Sequence, residues 1–264
     1  MKVDGKVIVV TGAGGGMGRE LTLELVRRGA LVAGVDMREV ALNETRKLAG
    51  KSVEIFTLDI TDASAVATLP ERVKKIFTNI DGLINNAGII QPFLKLDQLS
   101  MEDAERVMAV NFTGPLRLIK AFLPLLMERE QAHILNVSSM GAYAPVPGQS
   151  LYGASKAAIA QLSEGLRSEL MATNIGVTTV FPGAINTNIA ANSGITISAS
   201  SEMGSAIKTT DAKVAARVMI DAIESGRKRI YIGADARTLN LLARVNPKFA
   251  AWLINRNMRS LLGE

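Results

Sequence analysis

The chain of 264 residues is 48% hydrophobic and 21% charged, which allows a substantial core and excludes a disordered or fibrous protein. It contains no cysteine and one histidine, so disulfides, thiolate metal centres and His-rich metal sites are excluded. The net charge of +5 is placed unevenly. From Arg227 onward, eight basic side chains face only Asp235 and Glu264, giving this tail +6 and everything before it about −1.

The first run, "KVIVVT" (6–11), is strand-like and stops at glycines. It is too short for a signal h-region, and no stretch is long and apolar enough to span a bilayer. The expectation is a cytoplasmic protein. The turn that follows, "TGAGGGMG" (Thr11–Gly18), opens a helical pattern at 17–29. Glycines at 12, 16 and 18 allow a tight turn, close backbone approach to a pyrophosphate, and close helix–strand packing. A helix N-terminus there offers free N–H groups and the positive end of its dipole to phosphates. The second run, "LVAGVD" (31–36), ends in Asp36, placed to accept hydrogen bonds from an adenosine ribose and to repel a 2′-phosphate. An N-cap role for Asp36 is compatible with this. Arg38, two residues on, is placed to approach a phosphate or to point to solvent.

Further strand-like runs follow: "VEIFTL" (53–58), "DGLINN" (81–86), "HILNVS" (133–138), "GVTTVF" (176–181) and "RIYIG" (229–233). They are nearly continuous apolar segments, as expected of strands buried on both faces. Between them lie helical patterns near 38–49, 62–78, 101–128, 151–173 and 211–225. The alternation predicts an α/β fold, a doubly wound seven-stranded parallel sheet with helices on both faces, in one domain spanning 1–264. Pro70 predicts a kink or two short pieces in the third helix. His133 begins a strand and is given no catalytic role.

Within 101–128, residue 115 is proline and has no N–H for the carbonyl of Asn111. That carbonyl is left free and the helix bends. A water would be a reasonable partner for it. In "LYGASKAAI" (151–159), Tyr152 and Lys156 lie one helical turn apart, close enough to interact. An ammonium near a phenol lowers the phenol's pKa. Ser138 and Ser139 end a strand with side chains on opposite sides, so only one faces any cleft there. Residues 188–210 are small and polar and longer than an ordinary connection, which suggests a substrate loop. Residues 236–264 read as a basic helical extension, with Ala250, Ile254, Met258 and Leu261 on one stripe and Arg256 and Arg259 elsewhere.

These motifs, in this order from about residue 5 to 233, resemble the short-chain dehydrogenase/reductase family, the single-domain branch dependent on NAD(P). The resemblance implies a Rossmann-type fold and a catalytic tetrad of Asn111, Ser139, Tyr152 and Lys156, with Ser139 rather than Ser138 facing the cleft. Tyr152 would be the general acid–base, Lys156 would lower its pKa and bond the nicotinamide ribose, and the Asn111 carbonyl would hold a water linking Lys156 to solvent. The cofactor site would comprise Gly12, Gly14, Gly15, Gly16, Met17, Gly18, Asp36, Met37 and Arg38. Asp59 and Ile60, then Asn86, Ala87 and Gly88, would close the adenosine side. Tyr152, Lys156, Pro182, Gly183, Ile185 and Thr187 would complete it at the nicotinamide. Gly14 and Gly15 stand where the family commonly carries Ser and Arg or Lys, which removes a hydroxyl from the turn and a cation from any 2′-phosphate. With Asp36, this favours NAD over NADP, and no metal is needed.

The expected function is hydride transfer between the nicotinamide cofactor and a secondary alcohol or ketone on an apolar skeleton, steroid-, fatty- or terpenoid-like. Ile89, Ile90, Gln91, Met140, Tyr143 and Gln149 are the expected substrate neighbours. An NADPH-dependent 3-oxoacyl-[acyl-carrier-protein] reductase is one alternative, disfavoured by Asp36. A dinucleotide sensor without catalysis is another, disfavoured by Tyr152 and Lys156. The chain is expected to form a homodimer or homotetramer and to have no nucleic-acid partner. Contact of the basic C-terminal helix with a membrane surface or an acyl carrier is open but not favoured over docking on its own domain or a neighbouring subunit.

Overall fold

Each βαβ crossover begins with a short run of buried, mostly branched residues. The strands are Val7–Thr11 (β1), Leu31–Asp36 (β2), Val53–Thr57 (β3), Gly82–Asn85 (β4), Ala132–Val137 (β5), Ile175–Pro182 (β6) and, after the two-residue strands Ile185–Asn186 (β7) and Thr210–Asp211 (β8), Arg229–Ile232 (β9). This computed structural model describes residues 1–187, 189–195 and 209–258.

Seven strands form one parallel sheet in the order β3-β2-β1-β4-β5-β6-β9. Period-2 alternation splits their side chains between two cores. Ile8 and Val10 face a core shared with Gly16–Arg27 (α1), Glu39–Ala49 (α2) and Ala212–Glu224 (numbered α8 below), through Leu21, Leu25, Leu42, Met219 and Ile220. Val9 faces the opposite core, shared with Ala63–Lys74 (α3), Gly114–Met127 (α5) and Ser150–Glu169 (α6), through Val66, Leu69, Leu118, Phe122 and Leu166. The chain adds β2 and β3 on one side of β1 and then crosses to add β4 on the other. That reversal opens a crevice beyond the carboxyl ends of β1 and β4, where the glycine turn and residues 86–88 sit.

Two helical expectations are corrected. The α3 helix runs unbroken through Pro70 and ends at Lys74, so it is not two pieces; Asp62 caps it, accepting from the N–H groups of Ser64 and Ala65 at 2.8 and 3.1 Å. The pattern 101–128 is not one regular α-helix. Met101–Met108 (α4) leads into a π-helical turn, Ala109–Thr113, before α5, and the Gly114 N–H bonds the Ala109 carbonyl. Pro115 removes the donor that a regular α-helix would bring to Asn111, and one extra residue per turn absorbs the mismatch at that point.

The short helix Ile189–Asn192 (α7) follows β7, and β7 pairs with β8 in parallel, tying together the two ends of the 188–210 segment. Residues 188 and 196–208 of that expected substrate loop lie outside the described residues. The tail forms two helices, Ala234–Val245 (α9) and Pro247–Met258 (α10), separated at Asn246 before proline. Ala250 and Ile254 are buried as their stripe predicts, whereas the side chain of Met258 and all of Arg259 and Leu261 lie outside the described residues. The opposite face carries Phe249 and Trp252, 47% and 52% exposed, with stacked rings 5.6 Å apart and the Arg256 guanidinium 5.4 Å from the Trp252 ring. Among the described residues no helix is long and apolar enough to cross a membrane, and no cluster of His, Asp and Glu is placed to hold a metal ion.

Candidate active site

The glycine turn is built by contacts that admit no side chain. A Cβ on Gly18 would lie 2.0 Å from the Gly12 carbonyl oxygen, and Gly12 itself has φ +69° with Asn86 packed against it. The turn is held from β4, as Thr11 Oγ1 accepts from the N–H groups of Asn86 and Ala87, both at 3.0 Å. Helix α1 starts after Gly15 with no side-chain cap and no acidic residue in its first turn, leaving its first N–H groups for an anion. Asp36, at the tip of β2, accepts from the Gly14 N–H through Oδ2 and from the Arg38 N–H through Oδ1, each at 3.0 Å. Two N–H bonds leave part of the carboxylate's acceptor capacity for hydroxyl groups. Arg38 reaches back to within 3.5 Å of Asp36 and donates to Asn192 at 2.7 Å.

One cleft is lined by most of the residues expected to hold a dinucleotide: Gly12, Gly15, Gly16, Met17, Asp36, Met37, Arg38, Asp59, Ile60, Asn86, Ala87, Gly88 and Thr187. Gly14 and Gly18 are not in this lining: Gly14 donates to Asp36 and lines an adjoining pocket with Gly15 and Arg38, and Gly18 packs on Gly12. Pro182, Gly183 and Ile185 also lie outside it. Sequence reasoning passed over Val35, Leu58, Val110, Ile189 and Asn192, all of which line the cleft. It also missed Asp235, whose carboxylate accepts from the Ala184 N–H at 2.7 Å and fills the space where Cβ atoms on Gly183 and Gly233 would sit.

Beyond the cleft, Asn111, Ser139, Tyr152 and Lys156 converge. Ser139 Oγ accepts from the Gly141 N–H at 3.1 Å, and a Cβ on Gly141 would lie 3.5 Å from that hydroxyl and 3.4 Å from the Tyr152 ring, so both side chains flank one glycine. Ser138 faces the other way and donates to the Lys156 carbonyl at 2.6 Å. Lys156 is buried and donates to the Val137 carbonyl at 3.0 Å, its ammonium 5.9 Å from the centre of the Tyr152 ring. A Cβ on Gly88 would come within 3.1 Å of that ammonium and 3.2 Å of Asn111 Oδ1, so glycine lets residues 86–88 approach both. Burial pushes the Lys156 ammonium down to about 8.

The expected lowering of the Tyr152 pKa is corrected. Burial pushes the phenol above its ordinary value, and the nearby Ser139 hydroxyl only opposes this. Asn111 is held through its side chain. Its side-chain amide binds both backbone groups of Ile89 at 2.9 Å and donates to Ser155 Oγ at 3.0 Å.

Ile89 lines the cleft, whereas Ile90, Gln91, Met140, Tyr143 and Gln149 do not. Gln91 and Gln149 are buried, Gln91 accepting from the Tyr152 N–H of α6 and Gln149 donating to the Gln91 carbonyl. Tyr143 donates to the Ala236 carbonyl at 2.7 Å and packs edge-on to Tyr231.

The short chain dehydrogenase family model matches residues 6–197. The mouse (Mus musculus) protein "Dehydrogenase/reductase SDR family member 7B" is 35% identical over 231 residues, 84% of this chain and 71% of that protein. A short chain dehydrogenase/reductase from Burkholderia phymatum in complex with NAD superposes with a TM-score of 0.83 at 25% identity, over 93% of this chain and 96% of the other. A short chain dehydrogenase from Burkholderia cenocepacia in complex with NADP gives 0.82 at 29% identity, over 96% and 99%. With the βαβ order, the glycine turn and the converging Ser, Tyr and Lys already in place, the chain belongs to the short-chain dehydrogenase/reductase family of oxidoreductases.

Proposed function

We propose that the protein transfers hydride between a nicotinamide dinucleotide, NAD in preference to NADP, and a secondary alcohol or ketone on a largely apolar skeleton. The carrying observation is the convergence of Ser139 and Tyr152 at Gly141 with the buried Lys156 ammonium, 5.9 Å from the Tyr152 ring centre, beyond a cleft that begins at Asp36. The residues present fit the dinucleotide: an uncapped helix N-terminus for the diphosphate, carboxylate lone pairs for ribose hydroxyls, and glycines where a Cβ would obstruct. When bound, the dinucleotide supplies the hydride donor or acceptor.

In reduction, Tyr152 Oη gives its proton to the substrate oxygen as negative charge develops there. Ser139 donates a hydrogen bond to the same oxygen. Lys156 and the N-terminal end of α6 favour the phenolate that remains, and a substrate that draws on the phenol reverses the penalty of burial. In oxidation the same atoms take the proton back. Asp235 holds the 182–187 segment in place for the carboxamide end of the cofactor. Assembly into a homodimer or homotetramer from one-domain subunits belongs to the same proposal, and light scattering checks it.

The test is a set of hydrophobic secondary alcohols (cyclohexanol, a long-chain secondary alcohol and a hydroxysteroid) followed by NADH absorbance. Tyr152→Phe is expected to keep dinucleotide binding and to lose turnover by about 100- to 10,000-fold. Undiminished turnover in that variant removes Tyr152 from the mechanism. The second reading, NADP use by an acyl-carrier reductase, draws support from the Arg38 guanidinium 3.5 Å from Asp36, which offsets the carboxylate's repulsion of a phosphate. A higher kcat/KM with NADPH than with NADH decides for it.

A further inference from the structure

Helix α6 carries Tyr152 at its third residue, within the first turn, where backbone N–H groups have no intrahelical acceptor. Its N-cap residue, Gln149, makes no capping bond. The acceptor comes instead from a distant segment. Gln91 Oε1 accepts the Tyr152 N–H at 2.9 Å, and Gln149 Nε2 donates to the Gln91 carbonyl at 2.8 Å. The Tyr152 carbonyl is held as well, by Ser155 Oγ at 2.7 Å; that hydroxyl in turn accepts from Asn111 Nδ2. Asn111 closes the circuit by gripping both backbone groups of Ile89, two residues before Gln91. Both polar backbone atoms of the tyrosine are thus fixed to the 89–91 segment that follows β4.

Gln91 is fully buried, yet among the described residues its Nε2 has no partner, and neither does Gln149 Oε1. A buried donor without an acceptor costs stability, and methionine would fill a similar volume without that donor but would leave the Tyr152 N–H unpaired. The amide therefore serves its oxygen.

We infer that Gln91 is a positioning residue for catalysis: it caps the first turn of α6 from across the fold and so fixes the backbone from which the Tyr152 phenol reaches the reacting oxygen. This rests on the hydride-transfer reading with Tyr152 as the acid. A small displacement of such a group is enough to slow the chemistry substantially. Gln149 supports it by tethering Gln91.

The experiment compares Gln91→Met, Gln91→Glu and Gln149→Met with the wild type. Turnover is read with NAD and whichever secondary alcohol the wild type oxidises, dinucleotide affinity by the fluorescence of bound NADH, and the Tyr152 amide by hydrogen exchange. For Gln91→Met the expected result is a kcat at least tenfold lower, with the substrate KM and NADH affinity within twofold. The melting temperature changes little, since the unpaired Gln91 Nε2 is exchanged for an unpaired Tyr152 N–H, and the Tyr152 amide exchanges at least tenfold faster. Gln91→Glu, which keeps the oxygen acceptor, recovers most of the kcat. A wild-type kcat in Gln91→Met overturns the inference. So does a loss that tracks melting temperature while the Tyr152 amide stays protected. If Gln91→Met does not fold, Gln149→Met is read by the same criteria. A wild type with no NAD-linked turnover sinks the hydride-transfer reading instead, and the exchange of the Tyr152 amide then decides alone whether Gln91 holds it.

Discussion

His133 illustrates how completely a single buried side chain is determined by its neighbours. Thr178 Oγ1 donates to the Arg227 carbonyl at 2.6 Å, so His133 Nε2, 2.8 Å from that hydroxyl, must be the protonated nitrogen. A Cβ on Gly176 would come within 2.5 Å of Nδ1, which explains the glycine in the adjacent strand. Burial lowers the imidazole from 6.5 to about 3. Below pH 6.5 the unfolded chain takes up a proton that the folded one refuses. Stability is therefore complete above 6.5 and declines as pH falls to 3, by about 4 kcal/mol at the lower end. Urea midpoints across this range should fall steeply for the wild type and less for His133→Gln; equal slopes contradict the account. At this scale the sequence showed which groups meet: Tyr152 and Lys156 were legible from their one-turn spacing. The direction of the phenol's shift was not, because desolvation depends on packing against Ser139 and the rest of the fold. Asp235 was illegible because its partners, Ala184 and Gly183, lie fifty residues away in the chain.

Between elements, the strands were legible because strands buried on both faces need uninterrupted apolar runs, and β7 and β8 were missed because two residues carry no period. The π turn at Ala109–Thr113 was half legible. Pro115 announces a missing donor, but the choice between a bend and a wider turn is made by packing against α6 and Ile89. The packing of α1 on α8 depends on charge as well as apolar contact. Arg28 bonds Glu24 on its own helix at 2.7 Å and Asp221 and Glu224 on α8 at 2.8 and 2.9 Å. Hydrogen bonding to Arg27, then to Arg28, holds the buried Glu24 carboxyl down at about 2 against the opposing effect of burial. This stability is present above the ordinary carboxyl value of 4.5 and is lost as pH falls toward 2. Arg28→Met removes the cation between the two helices and is expected to cost about 2–3 kcal/mol at neutral pH, measured by denaturant unfolding. A loss below 0.5 kcal/mol would assign the junction to Leu21, Leu25, Met219 and Ile220 alone.

For the molecule as a whole, the reversal of strand order at β1 and β4 places the crevice, and that much follows from the alternation of runs in the sequence. A dinucleotide bound there stabilises the folded state by mass action. Melting temperature should rise with added NAD, and rise less with NADP at the same concentration; the reverse order favours the NADPH reading. Intrinsic emission reads a surface outside the lining of that cleft. Trp252 is the chain's one tryptophan, and it lies on the solvent face of the terminal helix, stacked on Phe249 and beneath Arg256. Its indole is consequently a beacon for the outermost layer: a blue shift or quenching reports whatever comes to rest on that surface.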